Sequence, residues 1–181
     1  MSLTQPIYTI EVLTARHDRK SFSCGNEALD KYLYYQANQD IKKHIAAVFV
    51  LVEKGKQKIL GYYTLSAIAI DAGEIPQQII KKLPKYKLLP ATLLGRLAID
   101  QQCQRKGLGG LLIIDALHRG INSSREIASM AMIVDAKDEL AVTFYERYSF
   151  IRFFHQEKKL YLPMDTAVKV FQACNPINCS R

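Results

Sequence analysis

Apolar residues in this chain fall into short blocks, separated by charged stretches or by segments bearing glycine and proline. Ala46-Ala47-Val48-Phe49-Val50-Leu51-Val52 is a continuous, β-branched-rich run of strand length. Lys54-Gly55-Lys56-Gln57 turns the chain into a second run, Ile59 to Ile70, so the two predict an antiparallel hairpin. Ahead of them, Cys24-Gly25-Asn26-Glu27 reads as a helix start, with Asn26 as the N-cap and an acid in the first turn. Leu29, Tyr32, Leu33 and Gln36 then recur at helical spacing and predict a helix ending near Ile41. Asp71 to Lys87 contains Pro76 and Pro84, which predicts a loop with one short helix around Gln77 to Leu83.

The second half alternates between periods. Leu93 to Asp100 reads as a buried strand, and Gln104 to about Asn122 as a glycine loop opening a helix. Met130 to Ala136 predicts another buried strand, Asp138 to Tyr148 a short helix, and Phe150 to His155 and Lys159 to Pro163 the closing strands. The tail after Ala167 predicts a last helix that stops before Asn175-Pro176. A helix, an antiparallel meander and a strand-helix-strand-helix-strand unit together predict an α/β fold of the mixed α+β kind, one mixed sheet flanked by helices. No repeat, linker or low-complexity tract interrupts the 181 residues, so a single domain over 1–181 is expected.

Composition narrows the class. Apolar content of 49% with 23% charged residues suits a soluble globular protein, and no apolar run approaches the roughly 18 residues of a membrane span. Glu11, Arg16, His17, Asp18 and Arg19 interrupt any signal-peptide pattern, so a cytoplasmic protein without a membrane partner is expected. Cys24, Cys103, Cys174 and Cys179 are scattered without paired ligand spacing, which favours reduced thiols and no metal. The net charge of +8, from 25 basic against 17 acidic residues, favours a polyanionic partner.

The segment with the most chemistry is Gln104-Arg105-Lys106-Gly107-Leu108-Gly109-Gly110. Between a strand and a helix, glycines let amide N–H groups approach an anion, and the helix start adds unpaired donors and the positive end of its dipole. Lys106 precedes the glycines and no magnesium-binding hydroxyl follows, so it is not the phosphate loop of nucleotide triphosphatases. Leu112 stands where a dinucleotide-binding loop needs a small residue. The pattern that fits is Gln/Arg-x-x-Gly-x-Gly/Ala, met by Gln104, Gly107 and Gly109. Taken alone, it leaves open an ordinary glycine turn before a helix.

Several separated blocks extend the match. They are His17 to Gly25, Leu29-Asp30-Lys31-Tyr32-Leu33, Gly61 to Ser66, Leu94-Gly95-Arg96-Leu97-Ala98-Ile99-Asp100, the glycine loop, Val134 to Asp138, and Phe144-Tyr145-Glu146-Arg147-Tyr148-Ser149-Phe150. In this order they resemble the GNAT N-acetyltransferase toxins of bacterial toxin–antitoxin pairs, which acetylate aminoacyl-tRNA. The resemblance departs at Ser149, where the family usually has glycine. It implies a largely antiparallel sheet with a central splayed parallel strand pair. It also implies acetyl-CoA as acyl donor, its pyrophosphate on Gln104, Arg105, Lys106, Gly107, Leu108, Gly109 and Gly110. Its pantetheine arm and acetyl carbonyl would meet the main chain of Leu97, Ala98 and Ile99. Tyr145 would protonate the departing thiolate. The implied partners are the acceptor end of an aminoacyl-tRNA, a ribbon-helix-helix antitoxin and a second copy in a homodimer.

The chemistry is consistent with that short list. A phenol near 10 can donate to a thiolate near 8.5, and backbone N–H groups can stabilise the oxyanion in a dry cleft. A lysine acceptor near 10.4 would need a base, whereas an α-amine near 7.7–8.0 is already partly neutral at pH 7. Glu53, Glu74 and Glu146 have no assignable catalytic placement. His17 and His44 read as surface residues without partners. Arg16, Arg19, Lys20, Lys42, Lys43 and Arg96 are candidates for RNA phosphates, with a structural ion pair the alternative for Arg96. Two rival functions remain at this stage: acetylation of a small amine or protein N-terminus, and a non-catalytic acyl-CoA or RNA-binding module.

Overall fold

A computed structural model describes residues 8–81 and 85–174. In chain order the elements are β1 (Tyr8–Val12), α1 (Glu27–Lys31), a π-helical turn (Tyr32–Gln36), α2 (Ala37–Lys42), β2 (Ala47–Glu53), β3 (Ile59–Asp71), α3 (Gln77–Ile80), β4 (Leu88–Ile99), α4 (Leu108–Glu126), β5 (Ala131–Asp135), α5 (Glu139–Glu146), β6 (Ile151–Phe153), β7 (Gln156–Pro163) and α6 (Met164–Cys174). The strands hydrogen-bond in the order β1-β2-β3-β4-β5-β7-β6. β1 and β2, β2 and β3, β5 and β7, and β6 and β7 are antiparallel, whereas β4 and β5 are parallel. The mixed sheet flanked by helices is therefore the fold present.

The chain divides into two compact units, each discontinuous in sequence. The first comprises residues up to Ser66 together with Arg96–Asp115, and its core is built on Phe22, Tyr32, Leu33, Val48, Val50, Val52, Ile59 and Tyr62. β2 is buried on both faces from Val48 to Val52, which is why its sequence lacks polar alternation. At Gly61 on β3 a Cβ would lie 2.6 Å from Ile99 Cδ1, 3.0 Å from the Ala98 carbonyl oxygen and 3.2 Å from Leu112 Cδ1. A side chain there would have to move the ends of Ile99 and Leu112 and would crowd the Ala98 carbonyl, so glycine suits the close approach of β4 and the start of α4 to β3. The second unit comprises Ala67–Gly95 and the residues from Ala116 onward, with Ile70, Ile75, Leu89, Ala91, Ala131, Ile133, Phe153 and Tyr161 at its core.

The structure corrects several expectations. A strand comes before the first helix: Tyr8–Val12 pairs with β2 at an edge of the sheet, and its half-buried positions give too weak an alternation to read. Asn26 does cap α1, accepting from the N–H groups of Ala28 (3.1 Å) and Leu29 (3.2 Å). The helix then takes a π turn, in which the Ala37 N–H reaches back to the Tyr32 carbonyl. That extra residue rotates Gln36 out to solvent and puts Ala37 in the core, where plain helical spacing had placed Gln36 inward. β4 starts five residues earlier than expected and includes Pro90, whose carbonyl is used by the Met130 N–H at 2.9 Å. α4 continues past Asn122 to Glu126 because Ser123 to Glu126 contains no breaker. Leu83 and Pro84, and Asn175-Pro176, lie outside the described residues.

Candidate active site

In the first unit, the end of β4 and the start of α4 form a braced corner. The parallel ladder of β4 with β5 has three rungs, the last joining Leu94 to Val134, and β4 runs on through Arg96, Leu97, Ala98 and Ile99. The Asp100 N–H donates to the Leu60 carbonyl at 2.9 Å, so Asp100 and, by strand alternation, Ala98 address β3. The main-chain groups of Leu97 and Ile99 therefore point the opposite way. Ala98 is buried and its two neighbours are half-buried.

Asp100 is a buried carboxylate that accepts from the Ser23 N–H (3.1 Å) and the Gln102 N–H (3.0 Å). The Gln101 N–H returns to the Ser23 carbonyl at 2.8 Å. Gln104 Nε2 donates to the carbonyls of Cys24 and Ile99, both at 3.0 Å, so both of its hydrogens are committed to holding the loop to this strap. Beyond Gln104, Arg105 (φ 61°) and Gly107 (φ 77°) adopt left-handed backbone, and Arg105, Lys106 and Gly107 are exposed. α4 begins at Leu108. Gly109 and Gly110 therefore lie in its first turn rather than in the loop, and the Gly110 N–H goes to the Gly107 carbonyl at 3.0 Å. No acidic side chain occupies that turn, so the helix start has no carboxylate of its own beside its unpaired N–H groups. A tight, cationic loop running into a bare helix start fits a diphosphate.

Arg96 sits over the Tyr32 ring, its guanidinium carbon 3.6 Å from the centroid. Tyr32 donates to buried Asp40 at 2.9 Å and stacks on Tyr62, whose hydroxyl donates to the Leu29 carbonyl at 2.8 Å. The ion pair considered for Arg96 is thus replaced by a ring contact. Of the other basic candidates, Arg16 is paired with Glu11, Arg19 is half-buried, and Lys20, Lys42 and Lys43 are exposed. Arg19 and Lys20 help line a cavity of about 490 Å³ with His17, Tyr34 and Tyr35. His17 is a correction: it is buried, not on the surface. Its Nδ1 accepts from the Thr14 N–H at 3.0 Å, so its Nε2 carries the proton and donates to Glu11 at 2.7 Å.

In the second unit, Asp138 caps α5 through the Ala141 N–H at 2.8 Å, and the helix carries Tyr145. The Tyr145 ring is buried against Phe144 (5.2 Å) and Phe150 (5.5 Å). Among the described residues its hydroxyl has no hydrogen-bond partner. No fully buried side-chain oxygen there lacks one, so the hydroxyl tip is where this side chain keeps contact with solvent. Burial pushes the phenol above the usual tyrosine range. Ser149 ends the α5 segment in left-handed backbone (φ 66°), its N–H bonded to the Glu146 carbonyl, which explains why glycine is usual there. Glu53, Glu74 and Glu146 are engaged by Lys56, Lys159 and Arg152, so none stands free as a base. Asp100, Asp40 and the Ser23-Cys24 strap escaped the sequence reading. Asp100 leaves one local trace, a polar residue at the end of an apolar run, and Asp40 and the Ser23-Cys24 strap leave none.

Among the described residues there is no metal-binding cluster of His, Cys, Asp or Glu, and no helix long and apolar enough to cross a membrane. Comparison with known proteins gives a consistent picture. A tRNA-acetylating toxin of Mycobacterium tuberculosis is 31% identical over 133 residues, covering 74% of this chain and 78% of that one. A solved structure of AtaT complexed with acetyl-methionyl-tRNAfMet superposes with a TM-score of 0.84 at 32% identity, covering 91% of this chain and 99% of that one. A tyrosine-to-phenylalanine variant of AtaT, bound to the C-terminus of the antitoxin AtaR and acetyl-CoA, gives 0.77 at 29% identity, covering 92% and 99%. Residues 20–161 match the family described as Acetyltransferase (GNAT) domain. The chain belongs to the GNAT acetyltransferase family.

Proposed function

We propose that this protein is a toxin that transfers acetyl from acetyl-CoA to the α-amino group of an aminoacyl-tRNA, with Tyr145 as the acid. The observation that carries the reading is the Tyr145 hydroxyl, the solvent-touching tip of a buried ring with no partner among the described residues. Acetyl-CoA supplies an activated thioester when bound. Arg105, Lys106, Gly107 and the first-turn amides of Leu108 and Gly109 would hold its diphosphate, with Gly110 closing the turn through its N–H to Gly107, while Gln104 braces the loop through Cys24 and Ile99. The outward-directed main chain of Leu97 and Ile99, with Ala98 between them, receives the pantetheine arm and polarises the carbonyl.

Burial keeps the Tyr145 phenol protonated at neutral pH, so it holds a proton to give. A thiolate leaving beside that hydroxyl would take its proton. The engagement of Glu53, Glu74 and Glu146 by cations fits an acceptor that needs no dedicated base, as an α-amine does. The tRNA acceptor is supported by likeness to a tRNA-acetylating toxin and to AtaT with its tRNA, and by the net charge of +8. Arg16, Arg19, Lys20, Lys42 and Lys43 are the cations assigned to phosphate contacts in this reading. The likeness to AtaT with AtaR supports an antitoxin partner, for which we propose the ribbon-helix-helix class. A homodimer in the cytoplasm, one GNAT domain per chain, completes the reading.

The test is incubation with labelled acetyl-CoA and a mixed pool of charged tRNAs. Label should enter the RNA fraction, depend on charging, and fall as salt rises. Label confined to small amines or protein N-termini, with charged tRNA untouched, would overturn the tRNA reading. Binding of acetyl-CoA without turnover on any amine would overturn the enzyme itself.

A further inference from the structure

Arg96 is the most unusual cation in the first unit. It is half-buried, and among the described residues it has no carboxylate partner and no hydrogen-bond acceptor. Arginine in such surroundings is ordinarily paired. Here the guanidinium is fixed by stacking instead. Tyr32 supports it from below, with its hydroxyl anchored on buried Asp40 and its ring backed by Tyr62. The π turn is what brings Tyr32 and Asp40 inward together from one helical segment. Contact with the ring uses no N–H donor, and with no acceptor among the described residues the guanidinium keeps the donors with which arginine grips a phosphate through two parallel bonds. The strand places this fork one residue before Leu97, at the start of the outward-directed main chain.

We propose that Arg96 is a specificity-determining residue that binds the terminal phosphodiester of the charged tRNA. This inference rests on the acetyltransferase reading above. In an aminoacyl-tRNA the reacting amine is joined by an ester to the last ribose, and the nearest fixed anion is the phosphate on that nucleoside's 5′ oxygen. A cation held rigidly beside the acyl-transfer main chain recognises that phosphate. A free amino acid, a small amine or a protein N-terminus does not carry it. The Tyr32–Asp40 support keeps the fork from folding away, so binding costs little ordering of the side chain.

The experiment compares three acceptors carrying the same amino acid: charged tRNA, an aminoacylated dinucleotide with one phosphodiester, and aminoacyl-adenosine with none. Wild type should favour the dinucleotide over the adenosine ester. Arg96→Gln, which keeps a planar head on the ring without charge, should erase that preference, lowering kcat/KM on dinucleotide and tRNA by about 10- to 100-fold. Turnover on aminoacyl-adenosine should stay near wild type. Arg96→Lys should recover only part of the loss, since it restores charge without the fork. Equal loss on all three acceptors in Arg96→Gln would assign the residue to the fold alone and overturn the inference. An undiminished dinucleotide preference would also overturn it, while leaving tRNA acetylation intact. Absence of wild-type acetylation on every acceptor would instead strike the proposed function.

Discussion

Tyr32 and Tyr62 in the first unit are as well buried as Tyr145 in the second, yet their hydroxyls are used differently. Tyr32 gives its proton to Asp40 and Tyr62 to the Leu29 carbonyl, so each is spoken for within the fold. Tyr145 is packed by Phe144 and Phe150 on its ring, and its hydroxyl has no hydrogen-bond partner among the described residues. Burial raises all three phenols above the usual range, so perturbed ionisation does not separate them. The unused hydrogen bond does. A buried polar group satisfied internally belongs to the architecture, whereas one left unsatisfied at a solvent-touching tip is available for chemistry.

The sharpest way to break this contrast is Tyr145→Phe. It should lower turnover by about 10²- to 10⁴-fold, with acetyl-CoA binding and melting temperature nearly unchanged, because no internal bond is lost. Full activity in that variant would remove Tyr145 as the acid. Tyr32→Phe should do the reverse. Stranding the Asp40 carboxylate should cost about 1–3 kcal/mol in urea unfolding, with turnover on a phosphate-free ester largely kept.

Alkaline titration sharpens the comparison further. The unfolded chain ionises its tyrosines near 10, while folded Tyr32, Tyr62 and Tyr145 hold their protons to higher pH. Above pH 10 the unfolded state therefore binds fewer protons, and the stability fully present below that point is lost as pH rises. Each such phenol contributes a fall of up to about 1.4 kcal/mol per pH unit. Chemical denaturation at pH 8 and pH 11 should show the drop, and Tyr145→Phe should make it shallower. A flat profile would mean that these rings are wetter than they look.

The smallest expected effect is at Ser149. Replacing a serine held at φ 66° by glycine relieves backbone strain and should raise stability by about 0.5–1 kcal/mol, read as a higher melting temperature with unchanged kcat. A lower melting temperature would show that the hydroxyl matters more than the backbone.

The hairpin of β2 and β3, the α1 start at Asn26 and the glycine segment were legible in the chain because each rests on local pattern: an apolar run, a capping residue, a turn. What escaped depended on contacts across the fold. His17 read as a surface residue because its partners, Glu11 and Thr14, meet it only once β1 has formed. Gln36 fell in phase with Leu29, Tyr32 and Leu33 because periodicity assumes 3.6 residues per turn, and one π turn shifts the phase. Gln104 read as a phosphate ligand by motif, while its side chain turned out to brace Cys24 and Ile99, 80 and 5 residues away. Ser149 stood out as a departure from the family pattern before its backbone angle supplied the reason.

Gly61 touches no reacting group, yet it sets how low the beginning of α4 can ride on the sheet. With 2.6 Å of room toward Ile99 and 3.2 Å toward Leu112, even one methyl would act as a shim under the corner that carries Gly107. An alanine at position 61 is therefore a handle on the acyl-donor corner from the neighbouring strand, pressing on Ala98, Ile99 and Leu112 without replacing any of them.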